Sequence, residues 1–74
     1  MTSDEFRALR KKMRLTQTRL ASLMGMPQSA VARIEAGTRQ PTRQQAACII
    51  MLFFLVERGL LDEFENFLSS NNQA

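Results

Sequence analysis

Apolar residues along this chain recur at three- and four-residue spacing, which is the period of an amphipathic helix. No window shows the alternation and turn residues of a β-hairpin. The spacing predicts five helices, at about residues 3–13, 17–24, 27–36, 42–58 and 60–68. We therefore expect an all-α fold, with one domain over residues 1–70 and a flexible tail at residues 71–74.

Polar residues that favour helix starts precede three of these segments. Thr2 with Glu5, and Thr42 with Gln45, have the T-x-x-E/Q spacing of a capping box. Thr16 is a suitable N-cap for the second helix, because its hydroxyl can accept a hydrogen bond from a free backbone N–H. These residues predict where the first, second and fourth helices begin.

A tight turn separates the second and third predicted helices. Gly25 favours the left-handed conformation that ends a helix, and Pro27 suits the first turn of the next one. Two short helices joined in this way form a helix-turn-helix, and neither is stable unless it buries its apolar face. Val31 and Ile34 supply that face on the third helix. The opposite face carries Gln28, Ser29, Ala32 and Arg33.

The side chains on this outer face have the chemistry that reads base pairs. Gln can bond adenine at N6 and N7, Arg can donate to guanine O6 and N7, and Ala can contact the thymine methyl group. A helix with such a short polar face fits the major groove near its own N-terminal end. The same residue types are common on plain exposed helices, so an ordinary solvated face stays open from these residues alone.

Basic residues are concentrated in one half of the chain. Residues 7–43 carry nine Lys or Arg side chains against one acid, Glu35, for a net charge of +8, whereas residues 44–74 carry a net charge of −3. A positive field confined to one half favours a polyanion as partner, although a solvated basic surface would have the same composition.

The stretch LTQTRLASLMGMPQSAVARIEAGTRQP resembles the Cro/C1 (XRE-like) helix-turn-helix family of phage repressors and bacterial regulators. The resemblance extends over about residues 5–43. It implies a five-helix, lambda repressor-like domain that binds double-stranded DNA. The shared positions are Leu15-Thr16-Gln17, Leu20-Ala21, Gly25, Met26, Gln28-Ser29, Val31, Arg33-Ile34-Glu35 and Gly37.

The resemblance also implies roles by position. Base contacts are expected from Gln28, Ser29, Ala32 and Arg33. Phosphate contacts, which position a protein without reading sequence, are expected from Gln17, Arg14, Arg19, Arg39 and Arg43. Arg10 and Glu35 are expected to form a structural ion pair between the first and third helices, the alternative being two unrelated surface charges.

Residues 46–56, AACIIMLFFLV, form an uninterrupted apolar run of eleven. A membrane span needs about twenty residues, so we do not expect one. A helix that is apolar all round must be covered all round, and a domain this small covers about half of it, with Cys48 and Met51 as core fillers. The uncovered half of the run predicts a homodimer interface. The alternative is a monomer in which the fifth helix covers the run. The expected interface residues are Ile50, Phe53, Phe54, Leu61, Phe64 and Phe67.

These features predict a homodimeric repressor that binds an inverted repeat, with half-sites roughly 34 Å apart or a multiple of that distance. Family and size favour a phage or mobile-element regulator, such as a Cro-like autoregulator, an anti-CRISPR-associated regulator or a restriction–modification controller. The alternative is an antitoxin or another protein-interaction module that uses the apolar C-terminal helices.

Catalysis is not expected from this composition. The chain has no His, and its one Cys lies inside the apolar run, so neither an activated nucleophile nor a typical zinc ligand set is present. We expect no cofactor, no metal and no small-molecule substrate. The charged start MTSDEFRALR lacks the pattern of a secretory signal, which together with the single cysteine predicts a cytoplasmic protein.

Overall fold

Five helices and the turns between them make up the computed structural model, which describes residues 1–71. The helices are α1 (Ser3–Lys12), α2 (Gln17–Met24), α3 (Gln28–Glu35), α4 (Arg43–Glu57) and α5 (Leu61–Asn71). No strand occurs within residues 1–71. The all-α, five-helix prediction is confirmed.

Reciprocal capping boxes start α1 and α4, as the spacing predicts. The Thr2 N–H donates to Glu5 Oε1 at 2.8 Å, and the Glu5 N–H donates to Thr2 Oγ1 at 3.1 Å. The corresponding distances between Thr42 and Gln45 are 2.9 and 3.1 Å. Each box satisfies two backbone donors that a helix start leaves free, which fixes where the helix begins.

The core is formed by one side of each of the helices α1 to α4. Its fully buried large side chains are Phe6, Leu20, Val31, Ile34, Ile49 and Leu52. Each such side chain stabilises the fold by about 1.5–3 kcal/mol relative to an exposed one. Helix α5 contributes no buried residue, and its Leu61 and Phe64 pack only against the edge of the core. The core therefore fixes α2 and α3 firmly, whereas α5 lies at its margin.

Helix α5 differs from its predicted range at both ends. Leu60 belongs to the preceding turn, because its N–H donates to Leu55 O at 2.9 Å and so helps to end α4. At the other end the chain has neither Gly nor Pro to stop the helix, which continues to Asn71. The predicted tail therefore includes one helical residue, and residues 72–74 lie outside the described part of the chain.

The apolar run of α4 is covered on one side only. Ile49 and Leu52 are buried, and Cys48 is half-buried against the core. Met51 is 60% exposed, so its prediction as a core filler is wrong: it lies on the side of α4 opposite the buried Ile49 and Leu52. No helix within residues 1–71 is long and apolar enough to cross a membrane.

Candidate nucleic-acid interface

The turn between α2 and α3 is built from Gly25 and Pro27. Gly25 has the left-handed conformation, with φ 69°, and the Met26 N–H donates to Ala21 O at 3.0 Å across the turn. Pro27 is the N-cap of α3, with an extended backbone and no side-chain hydrogen bond, so α3 begins at Gln28, one residue after the predicted start. This turn sets the angle between the two helices.

Helix α3 presents its polar side to solvent. Val31 and Ile34 are fully buried in the core. Gln28, Ser29 and Arg33 are exposed, and Ala32 is half-buried. Because the apolar pair anchors the helix, the four expected base-contact residues share the face that points away from the domain. No other segment within residues 1–71 covers the Gln28, Ser29 and Arg33 side chains.

A chain of hydrogen bonds ties the start of α3 to the start of α2. Gln28 Nε2 donates to Gln17 Oε1 at 2.8 Å, and Gln17 Nε2 donates to Glu35 Oε1 at 3.1 Å. The sequence did not predict the bond between the two glutamines; their positions at the starts of two helices joined by a tight turn are the signal that was available. Gln17, an expected phosphate contact, thus lies beside the base-contact face, and both amides are held before any ligand arrives.

Arg10 and Glu35 form a bidentate ion pair that joins α1 to the end of α3. Arg10 Nε and Nη2 donate to the two Glu35 carboxylate oxygens at 2.6 and 2.8 Å, and Nη1 donates to Leu15 O at 2.8 Å. The two side chains are 13% and 4% exposed. Burial raises the pKa of Glu35, but hydrogen bonds from Arg10 and Gln17 and nearby positive charge outweigh burial and lower that pKa below its ordinary value. Glu35 is therefore held as a carboxylate.

The expected phosphate-contact arginines occupy different surroundings. Arg39 and Arg43 are exposed on and after the loop between α3 and α4. Arg14 is exposed in the turn before α2 and has φ 59°, a left-handed conformation that few residues other than Gly adopt. All three side chains lie in the strongly basic half of the chain, where an anion would be attracted.

Arg19 lies elsewhere. Its Nη2 donates to Glu65 Oε1 of α5 at 2.5 Å. It follows Gln17 by two positions, and two residues of a helix are separated by about 200° of rotation, so the two side chains leave α2 on opposite sides. The structure therefore does not bring Arg19 together with Gln17. No local sequence signal indicated a partner 46 residues away.

Residues 1–71 provide no set of metal-ligating side chains at this interface. Across residues 1–71 the structure shows no group of three or more His, Cys, Asp or Glu side chains that could hold a metal ion. A hollow beside α3 is lined by Arg7, Arg10, Gln17, Ala32, Glu35 and Ala36, and the hydrogen bonds described above join Arg10, Gln17 and Glu35 within it.

Comparison with known families identifies this arrangement. A family model described as "Helix-turn-helix" matches residues 6–47, which is more than half of the chain and includes most of α1, all of α2 and α3, and the start of α4. No curated protein and no solved structure matches the chain. Because the matched segment contains the turn, the α3 face and the Arg10–Glu35 pair, the chain belongs to the Cro/C1-type helix-turn-helix family of DNA-binding regulators.

Proposed function

We propose that the protein is a homodimeric repressor that binds an inverted-repeat operator and controls its own operon by covering promoter DNA. One observation carries this proposal: the core holds Val31 and Ile34, so the Gln28, Ser29 and Arg33 side chains are exposed on the outer face, where they can enter a major groove. The net charge of +8 over residues 7–43 supplies the attraction to the phosphate backbone.

The hydrogen bonds around Gln28 support a role in base recognition. A glutamine amide must lose rotamer freedom to bond the N6 and N7 atoms of adenine, and that loss weakens binding. Gln17 already restrains the Gln28 side chain, and Glu35 in turn restrains Gln17. The entropy loss on binding is therefore smaller than for an unrestrained glutamine. Arg33, with an exposed side chain on the same face, would read a guanine.

Arg33→Ala tests base readout. We expect it to lose discrimination at one base pair of each half-site by about 1–3 kcal/mol, while affinity for unrelated DNA changes little. Competition gel shifts with operator variants, each altered at one base pair, measure this loss. Arg33→Lys is the matched control, since it keeps the charge and loses the bidentate hydrogen bonding to guanine. An equal loss of affinity for every sequence would count against base readout by Arg33.

Arg43→Ala tests the phosphate contacts. We expect weaker binding to every duplex and a plot of log affinity against log salt that is flatter by about 1.8, because the homodimer loses two phosphate contacts and each contributes about 0.9 on B-DNA. Fluorescence anisotropy over a salt series measures the slope at concentrations where sedimentation shows the variant to be dimeric, with Arg43→Lys as the control that retains the charge. A slope equal to that of the wild type would remove Arg43 from the set of phosphate contacts.

The exposed apolar surface supports the homodimer. Ile50, Phe54 and Phe67 are 53%, 52% and 67% exposed, which is costly for side chains of this size in a monomer. Three other expected interface residues are half-buried and pack against the protomer's own core: Phe53, Leu61 and Phe64. We therefore propose the outer side of α4 as the main interface, and we include Met51, which is 60% exposed, in it.

One feature favours a second candidate, a protein-interaction module such as an antitoxin. A groove between α4 and α5 is lined by Leu55, Leu60, Glu63, Phe64 and Phe67. If another protein binds there, the isolated chain would remain a monomer at high concentration and would bind DNA weakly. The molar mass of the purified chain, measured by light scattering, separates the two candidates.

A further inference from the structure

A stripe of exposed residues runs along the outer side of α4. The α4 stripe consists of Ala47, Ile50, Met51 and Phe54, spaced i, i+3, i+4 and i+7, which places all four on one helix face. It lies directly opposite Ile49 and Leu52, the buried residues of the same helix. Ile50, Met51 and Phe54 are 53%, 60% and 52% exposed. An apolar face this exposed calls for a partner.

We propose that the α4 stripe pairs with the α4 stripe of a second copy, antiparallel, with the two-fold axis passing between Ile50 and Met51. This inference rests on the proposed homodimer and specifies its geometry. In a two-fold dimer the same surface is used by both copies, so the stripe must be complementary to itself. The side chains at its two ends differ in size, and the charged residues beyond those ends differ in sign. Both differences favour the antiparallel arrangement.

Side-chain size gives the first argument. At about 100° of rotation per residue, Ala47 and Phe54 lie near the midline of the stripe, while Ile50 and Met51 lie on its two sides. The antiparallel pairing sets each Phe54 ring over Ala47 of the second copy, and Ile50 and Met51 each face their own counterpart. A large side chain that packs against a small one fills the space between the two helices evenly. A parallel pairing would set Phe54 against Phe54 and leave a gap between the two Ala47 side chains.

Charge gives the second argument. Arg43 and Glu57 are exposed at opposite ends of α4, on the same side of the stripe as Ile50. The antiparallel pairing brings Glu57 beside Arg43 of the second copy, and the two helix dipoles then oppose one another. Arg58 lies over the Phe54 ring, 3.6 Å from its centroid, on the Met51 side. The apolar stripe is thus bordered by charged groups that are complementary across the two-fold axis.

Exchanging the side-chain sizes at positions 47 and 54 tests whether these two positions meet across the dimer. Ala47→Phe should crowd Phe54 of the second copy, and Phe54→Ala should leave a gap, so each single variant should weaken dimerisation by about tenfold. The double variant restores the large-against-small layer and should return to within about threefold of the wild type. Sedimentation equilibrium in the absence of DNA gives the dimerisation constants. Both positions are exposed in the protomer, and circular dichroism of each variant verifies that the helices are intact.

Disulfide trapping provides an independent measurement. In a Cys48→Ser background, a chain carrying both Ala47→Cys and Phe54→Cys should form a covalent dimer on mild oxidation, whereas Phe54→Cys alone should not. Efficient cross-linking by Phe54→Cys alone, or a double size variant no tighter than the single variants, would overturn the register and leave the homodimer standing. A wild-type chain that stays monomeric at high concentration would overturn the homodimer itself.

Discussion

Glu35→Gln is expected to lower the free energy of unfolding by about 3 kcal/mol, because it leaves the Arg10 guanidinium in a largely buried position without its countercharge. The side chain of Glu35 is 4% exposed and accepts hydrogen bonds from both Arg10 and Gln17, so the variant weakens three contacts at once. Urea unfolding followed by circular dichroism measures the loss. Glu63→Gln, the same change on an exposed residue of α5, should alter stability by no more than about 0.5 kcal/mol.

The same pair predicts a pH dependence with a definite sign. The pKa of Glu35 in the folded protein lies below its ordinary value of 4.5. Its contribution to stability is therefore complete above that value and is lost as the pH falls through the folded-state pKa. The wild type should lose its advantage over Glu35→Gln in acid and keep it at neutral pH. Equal stability of the two proteins at pH 7 would show that the ion pair does not stabilise the fold.

Phe54→Asp is expected to weaken operator binding by about 100-fold or more. The aspartate places a charge at one end of the α4 stripe, against Ala47 of the second copy, which should separate the protomers. Two linked recognition helices gain a factor of about 10²–10⁴ in affinity over one, and the variant loses that factor. Phe54 is 52% exposed and lies opposite the core, so the protomer should keep its helices.

Gel shifts and light scattering on the same samples test this expectation. Ser69→Asp adds the same charge to an exposed position of α5 and serves as the control, since it lies outside the stripe. A Phe54→Asp protein that retains both the dimer mass and the operator affinity would show that the stripe is not the interface. If the mass falls and the affinity does not, a single protomer carries the full binding energy.

Local signals explain why α1 to α4 could be predicted from the sequence. The Thr-based capping boxes and Gly25 act within a few residues of a helix end, so their effect does not depend on the rest of the fold. The end of α5 has no such signal: the chain near Ser69 and Ser70 has neither Gly nor Pro, and the helix continues beyond the predicted boundary.

The sequence predicts the buried side of α3 but not that of α4. On α3, two apolar residues among polar neighbours fix which side is buried, so the orientation of Gln28 and Arg33 follows directly. On α4 the run of eleven apolar residues has no polar side, and periodicity therefore cannot tell which residues face the core. The prediction that Met51 lies in the core is wrong for this reason. The Arg19–Glu65 contact depends on how α5 docks, which no local pattern indicates.

Selection by the purified wild-type chain from a pool of random duplexes tests whether the polar side of α3 reads base pairs in duplex DNA. We expect enrichment of an inverted repeat, whose half-sites change when Gln28 or Arg33 is replaced. Recovery of a pool as random as the input, or no retention of any duplex at low salt, would contradict it.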